Sequence, residues 1–151
     1  MKIEQLTLES DSYEAVLREL GARALEEGYV EEPYVEALLE RERAHPTGLW
    51  IEREPEPFGL AIPHADPEYV NEQAIVLGFP SETATFRSMD DRDRDVEVDV
   101  VLLLLVTDTE DYSAFLSNLT TLFQDDEFAE SVLEQDGDRI VELIVDRVLE
   151  A

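Results

Sequence analysis

The chain has no cysteine, which excludes disulfides, thiol nucleophiles and thiolate metal ligands. Lysine is almost missing as well: Lys2 stands alone, and every other basic residue is arginine. Histidine occurs only as His45 and His64. No apolar run approaches the ~20 residues that span a bilayer, and the longest, Val100 to Val106, suits a buried strand. The opening Met1-Lys2-Ile3-Glu4-Gln5 has no apolar signal core, so the expected compartment is the cytoplasm. There is no internal repeat and no low-complexity linker. At 151 residues, positions 1–151 are expected to form a single domain with one sizeable core.

Negative charge is what the chain has in excess. It carries 38 acidic residues against 11 basic ones, a formal net charge of -27. Phosphate backbones repel such a surface, so nucleic acid is excluded as a partner. The carboxylates are dispersed over the whole chain rather than gathered in a tail. That pattern, with lysine so scarce, suggests adaptation to high salt, where self-repulsion is screened. A halophilic source is therefore expected, which carries no information about function.

The most informative stretch is Gly59-Leu60-Ala61-Ile62-Pro63-His64-Ala65-Asp66. A short apolar run leads into a histidine flanked by Pro63 and Pro67. Proline fixes φ and donates no backbone hydrogen bond, so His64 is expected on a stiffened, non-helical turn at a strand end. A histidine there can be a base, a nucleophile, a metal ligand or a plain surface residue.

The rest of the chain can be read around it. Met1 to Leu8 suggests an edge strand or extended arm. Asp11 and Ser12 start a first helix, with Glu14 in capping-box position, an inner stripe of Val16, Leu17, Leu20 and Ala24, and a stop at Gly28. Glu32-Pro33 starts a second helix, with Val35, Leu38 and Leu39 inside, Arg41 in the last turn and Pro46 closing it. Leu49 to Ile51, the run into His64, and Gln73 to Phe79 read as strands. Met89 to Asp95 reads as a solvated loop; its carboxylates lack the glycine and terminal glutamate of an EF-hand. Val96 to Val106 alternates and then turns continuously apolar, which predicts one central strand buried on both faces. Thr107 to Asp111 is expected to cap a third helix bearing Phe115, Leu116, Leu119, Leu122 and Phe123. A fourth helix begins at Asp126, and a last one follows Gly137. Helices, strands, then helices imply a three-layer α/β/α sandwich with a mixed central sheet and helices on both faces.

Three pieces stand in fixed order: Leu39-Glu40-Arg41-Glu42, Pro46-Thr47-Gly48, and Gly59-Leu60-Ala61-Ile62-Pro63-His64. Together they resemble enzyme IIA of the fructose/mannitol class of the phosphoenolpyruvate-dependent sugar phosphotransferase system. Pro46-Thr47-Gly48-Leu49, Met89-Asp90-Asp91 and Leu122-Phe123 look most like its galactitol-specific branch. The resemblance implies a phosphocarrier in which His64 takes a phosphoryl group from HPr and passes it to a cysteine of enzyme IIB. The membrane is then met only through enzyme IIC. It makes Arg41 the active-site arginine and implies no metal and no organic cofactor. Fructose- and mannitol-specific members carry a second active-site histidine on the helix after the central strand. Here that position falls on Phe115, which donates no hydrogen bond, and His45 lies elsewhere.

The chemistry agrees with these residue types. Phosphoryl transfer depends mostly on positioning and charge stabilisation. A neutral imidazole with Nδ1–H tied to a carbonyl leaves Nε2 as nucleophile. Arg41 can present a planar fork of donors to phosphoryl oxygens. Its helical neighbours Ala37, Leu38, Ala44 and His45 include no carboxylate to pair with it. Thr47 is expected either to give its hydroxyl to a phosphoryl oxygen or to His64, or to be a plain turn residue. Carboxylates favour imidazolium, so Asp66 is expected to point away from the ring or to be screened. Leu49 and Trp50 could belong to an apolar docking patch. Two other functions compete: a regulatory protein of the same fold, read through its phosphorylation state, and a metal hydrolase using His64, Asp66 and His45, which is poor by ligand count.

Overall fold

The computed structural model describes residues 1–107 and 112–150. Strand β1 (Lys2–Thr7) is followed by helices α1 (Tyr13–Glu26) and α2 (Pro33–Ala44), then strands β2 (Gly48–Ile51) and β3 (Phe58–Ala61). After a single 3-10 turn come β4 (Ala74–Phe79), β5 (Ala84–Arg87), β6 (Asp95–Val98) and β7 (Val100–Leu105). Helices α3 (Tyr112–Leu122), α4 (Asp126–Leu133) and α5 (Gly137–Ile144) follow, the last running on into a π turn over Val145–Leu149.

Five strands form one mixed sheet in the order β1-β4-β7-β3-β2. The pairs β1–β4 and β3–β7 are parallel, while β4–β7 and β2–β3 are antiparallel. Strand β7 lies at the centre, and all six of its residues are buried. Its side chains alternate between two cores, as a two-residue repeat demands. Val101, Leu103 and Leu105 join the core under α1 and α2; Val100, Leu102 and Leu104 join the one under α3, α4 and α5. Strand β4 divides likewise, with Ala74 and Val76 on one side and Ile75 and Leu77 on the other. The expected three-layer sandwich is therefore the fold. Burying both faces explains why these strands read as apolar runs.

The helix ends differ in how they are capped. Gly28 takes φ of +79°, and the Tyr29 N–H donates to Ala24 O at 2.9 Å, so the expected stop at Gly28 is a left-handed helix end. The capping box is not formed: Ser12 is the N-cap residue without a side-chain bond, and the Glu14 carboxylate takes Arg43 at 2.7 Å instead. Pro33 opens α2 and α2 ends before Pro46, as expected. The Asp125 carboxylate accepts the Glu127 and Phe128 N–H groups and so caps α4. The expected cap of the third helix at Asp111 lies outside the described residues.

One expected strand is corrected. Val96 to Val106 is two strands, divided at Asp99. Strand β6 pairs antiparallel with β5, a strand over Ala84–Arg87 that the sequence did not announce, and this hairpin forms a separate two-stranded sheet. Its inward residues Ala84, Phe86, Val96 and Val98 join the α1–α2 core. At the break, Asp99 N–H donates to Gly59 O at 2.8 Å and Gly59 N–H donates to the Asp99 carboxylate at 3.0 Å. A Cβ at Gly59 would collide with the Glu97 carbonyl, so only glycine lets the hairpin cross β3 this closely. The Met89–Asp95 segment is the hairpin's connection, with Asp95 beginning β6.

Candidate functional site

The site is assembled at one end of the central sheet, where β3 delivers Pro63 and His64. The Leu104 N–H of β7 donates to Pro63 O at 3.0 Å and ties the turn to the central strand. Proline has no N–H of its own to offer, so its carbonyl makes the bond. His64 is half-buried, and its Nδ1 lies 2.8 Å from Ile62 O. A carbonyl only accepts, so Nδ1 carries the proton and Nε2 is the ring nitrogen with a bare lone pair. This is the tautomer a nucleophilic imidazole requires.

His64 lines a cleft of about 140 Å³ with Arg41, Ala65, Asp66, Pro67, Val106 and Tyr112. The structure therefore brings Arg41 and His64 together from α2 and from the turn after β3. Arg41 is exposed and makes no ion pair among the described residues. The His64 pKa lies below the usual 6.5: burial is the largest cause, and the Arg41 charge adds to it. The bond to Ile62 and the Asp66 charge push the other way and are outweighed. The expectation for Asp66 needs correction, because it does line the cleft and does act on the ring. The imidazole stays neutral because desolvation of the charged form wins.

Thr47 sits elsewhere. It is buried and does not line the cleft with His64. Its hydroxyl donates to Glu42 Oε1 at 2.9 Å, and its N–H donates to Glu42 Oε2 at 2.7 Å. The hydroxyl proton is thus committed to Glu42, so the expectation of a bond to a phosphoryl oxygen or to His64 is replaced by a bond inside the fold. Thr47 O in turn accepts the Ile62 N–H at 3.4 Å. A chain of bonds consequently runs from Glu42 through Thr47 and Ile62 to the His64 ring.

Glu42 is the residue that sequence reasoning passed over. It follows Arg41 directly, yet it is only 3% exposed, and burial pushes its carboxyl up to about 7. Both bonds from Thr47 oppose that rise. A helical step of 100° turns neighbouring side chains onto different faces, which is why one charge reaches the cleft and the next enters the core.

Tyr112 was also passed over. It begins α3, and its ring centroid lies 5.8 Å from that of His64 with the planes at 58°. Phe115 stacks behind Tyr112 at 6.4 Å and 26° but is not part of the cleft wall. The available signal was position: Tyr112 stands three residues before Phe115 on the same helical face, and it carries a hydroxyl. His45 is exposed and borders neighbouring depressions, one with Met89 and Asp90 to Asp93 and one with Arg41 and Asp66. It does not line the His64 cleft, so the three residues of the metal-hydrolase reading do not share one wall. Among the described residues, no helix is long and apolar enough to cross a membrane.

Comparison with known proteins adds to this geometry. The family model described as "Phosphoenolpyruvate-dependent sugar phosphotransferase system, EIIA 2" matches residues 2–146. The galactitol-specific EIIA component of a PTS system from Escherichia coli (strain K12) is 33% identical over 76 residues, 50% of this chain and 48% of that protein. The match thus spans about half the length of this curated relative. In a solved complex of enzyme IIAMTL and phosphorylated enzyme IIBMTL from Escherichia coli, the matching chain has a TM-score of 0.70 at 23% identity, covering 97% of this chain and 95% of that one. Nitrogen regulatory protein IIA-Ntr from Neisseria meningitidis has a TM-score of 0.65 at 25% identity, covering 86% and 83%.

Proposed function

Since this chain belongs to the EIIA 2 family of the phosphoenolpyruvate-dependent sugar phosphotransferase system, we propose that it is a phosphotransferase component, a phosphocarrier loaded on His64. The observation that carries this reading is the neutral ring: Nδ1 is held by Ile62 O, Nε2 is left bare, and Arg41 lines the same cleft. HPr is the proposed donor. The bond from phosphorus to the donor histidine breaks as the bond to His64 Nε2 forms. The Nδ1 proton stays on the ring, where Ile62 O shares the positive charge that develops. Arg41 meets the phosphoryl oxygens with its planar fork. In the second half, a cysteine thiolate of enzyme IIB attacks phosphorus, and His64 Nε2 recovers its lone pair. Thr47 supports the site indirectly, through the Ile62 backbone.

Enzyme IIB fits as acceptor because the IIAMTL homologue is solved in complex with phosphorylated IIBMTL. Trp50, 46% exposed on the edge strand β2, is a candidate docking anchor for these partners. Galactitol or a related polyol is the proposed sugar, on the strength of the 33% identical relative. The unit is proposed to act as one cytoplasmic domain over residues 1–151. A surface of charge -27 suits high salt, and docking is expected to tolerate molar salt. A steep loss of partner affinity between low and high salt would count against that.

The likeness to nitrogen regulatory protein IIA-Ntr favours a second reading, in which the phosphorylation state of His64 controls a partner protein instead of transport. Genes for enzymes IIB and IIC beside this one favour transport. The decisive experiment mixes the protein with phosphoenolpyruvate, enzyme I and HPr and follows mass. An acid-labile gain of one phosphoryl group on the wild type, absent from His64→Ala, is expected. An unchanged wild-type mass overturns the carrier reading.

A further inference from the structure

Tyr112 puts a hydroxyl into the wall of the His64 cleft. Its ring packs against two others, the imidazole at 5.8 Å and 58° and Phe115 at 6.4 Å and 26°. These two ring contacts restrict the direction of the phenol before any ligand arrives. The hydroxyl oxygen is buried and has no hydrogen-bond partner among the described residues. A buried hydroxyl left without a partner is costly and calls for an explanation. A second phenol, Tyr34, lies in the same neighbourhood: burial is the largest cause of its raised pKa, and Tyr112 adds to it. Tyr34 is fully buried and does not reach the cleft wall, so of the two only Tyr112 can meet a bound group.

We propose that Tyr112 is a further catalytic residue, whose phenol O–H donates a hydrogen bond to an oxygen of the phosphoryl group carried on His64 Nε2. This rests on the carrier reading above. Tyr112 keeps its proton throughout; the only bonds that change are those from phosphorus to the donor and to Nε2. The phenol is suited to that task because burial raises its pKa against the opposing pull of Arg41, so it stays a neutral donor. Arg41 and Tyr112 then flank the phosphoryl group from α2 and from α3. The donor missing at Phe115 is thus supplied one helical turn earlier on the same face.

The test loads wild type, Tyr112→Phe and His64→Ala from phosphoenolpyruvate, enzyme I and HPr. Tyr112→Phe retains the ring and its stacking and removes only the orphan hydroxyl, so its melting midpoint is expected to equal or exceed that of wild type. Its loading rate is expected to fall about 10- to 100-fold, the loss typical of one hydrogen bond to a charged group. The phosphorus NMR resonance of phospho-His64 is expected to move, which a packing role would not produce. Wild-type loading rate and an unmoved resonance in Tyr112→Phe overturn the proposal while leaving the carrier reading intact. A wild type that gains no phosphoryl group overturns both. Should Tyr112→Phe fail to fold, wild type labelled at tyrosine Cζ decides: phosphorylation shifts the Tyr112 resonance if the bond forms, and leaves it in place if not.

Discussion

Arg41 and Glu42 are adjacent on α2 and meet opposite fates. Arg41 is exposed at the mouth of the His64 cleft, without an ion pair among the described residues. Glu42 is buried, with both oxygens taken by Thr47. One region keeps a charge available for an incoming dianion. The other uses a carboxylate to pin the backbone that leads, by way of Ile62, to the His64 ring. The difference shows that in a chain so rich in acid, value comes from where a charge is placed, since most carboxylates among the described residues are exposed. Surface charges of that kind contribute little individually.

The comparison is tested most severely by Arg41→Ala. Loading of His64 should fall roughly 100- to 1000-fold, the scale for removing one preorganised donor from developing charge. Stability should change by less than about 0.5 kcal/mol, because an exposed side chain with no ion pair among the described residues supports little packing. Arg41→Lys should recover the charge without the planar fork and restore the rate only in part. A normal rate in Arg41→Ala, followed by single-turnover mass spectrometry, would remove the arginine from the site.

Glu42→Ala should show the reverse profile. Losing a buried acceptor of two bonds should destabilise the fold by about 2 to 4 kcal/mol in urea titration, because the Thr47 N–H and hydroxyl are left unpaired. Glu42→Gln should separate the charge from the bonds. The Glu42 pKa rises from 4.5 to about 7 on folding, so the folded chain holds this proton more tightly than the unfolded one. Stability contributed by the protonated form is therefore lost as pH rises from 4.5 toward 7, by of order 3 kcal/mol. Glu42→Gln should flatten that slope; an unaltered pH profile would show that Glu42 is not the titrating group.

His64 provides the smallest effect and the opposite sign. Its folded pKa is below 6.5, so the unfolded chain binds the proton more tightly, and stability from this ring is lost as pH falls below 6.5. An NMR titration of the imidazole should therefore give a midpoint under 6.5, moving upward in Arg41→Ala. A midpoint above 6.5 would mean that Asp66 and the surrounding acid outweigh burial.

Much of this layout was legible before any coordinates. The stripes of α1 and α2, the Pro33 start, the Gly28 stop and the apolar β4 and β7 follow from local periodicity and backbone chemistry, which act within a few residues. The hairpin β5–β6 was not legible. Val96 to Val106 looks like one strand because its apolar pattern continues past Asp99, and only the crossing over Gly59 divides it. Thr47 was misplaced for a different reason: a turn threonine has many possible acceptors, and the pattern of charges does not tell that Glu42, five residues back, turns inward and is buried beside it.

The order of residues determined the helices, the strands outside the β5–β6 hairpin and the mixed sheet between helix layers, and its resemblance to a family marked His64 with Arg41 as the pair to watch. Tertiary structure alone decided that Glu42 is buried while Arg41 is not, and that the α3 side chain beside the imidazole is Tyr112 rather than Phe115. The physical reason is range. Propensity, capping and proline act on neighbours along the chain, whereas burial and hydrogen-bond partners across a cleft exist only after distant segments have packed.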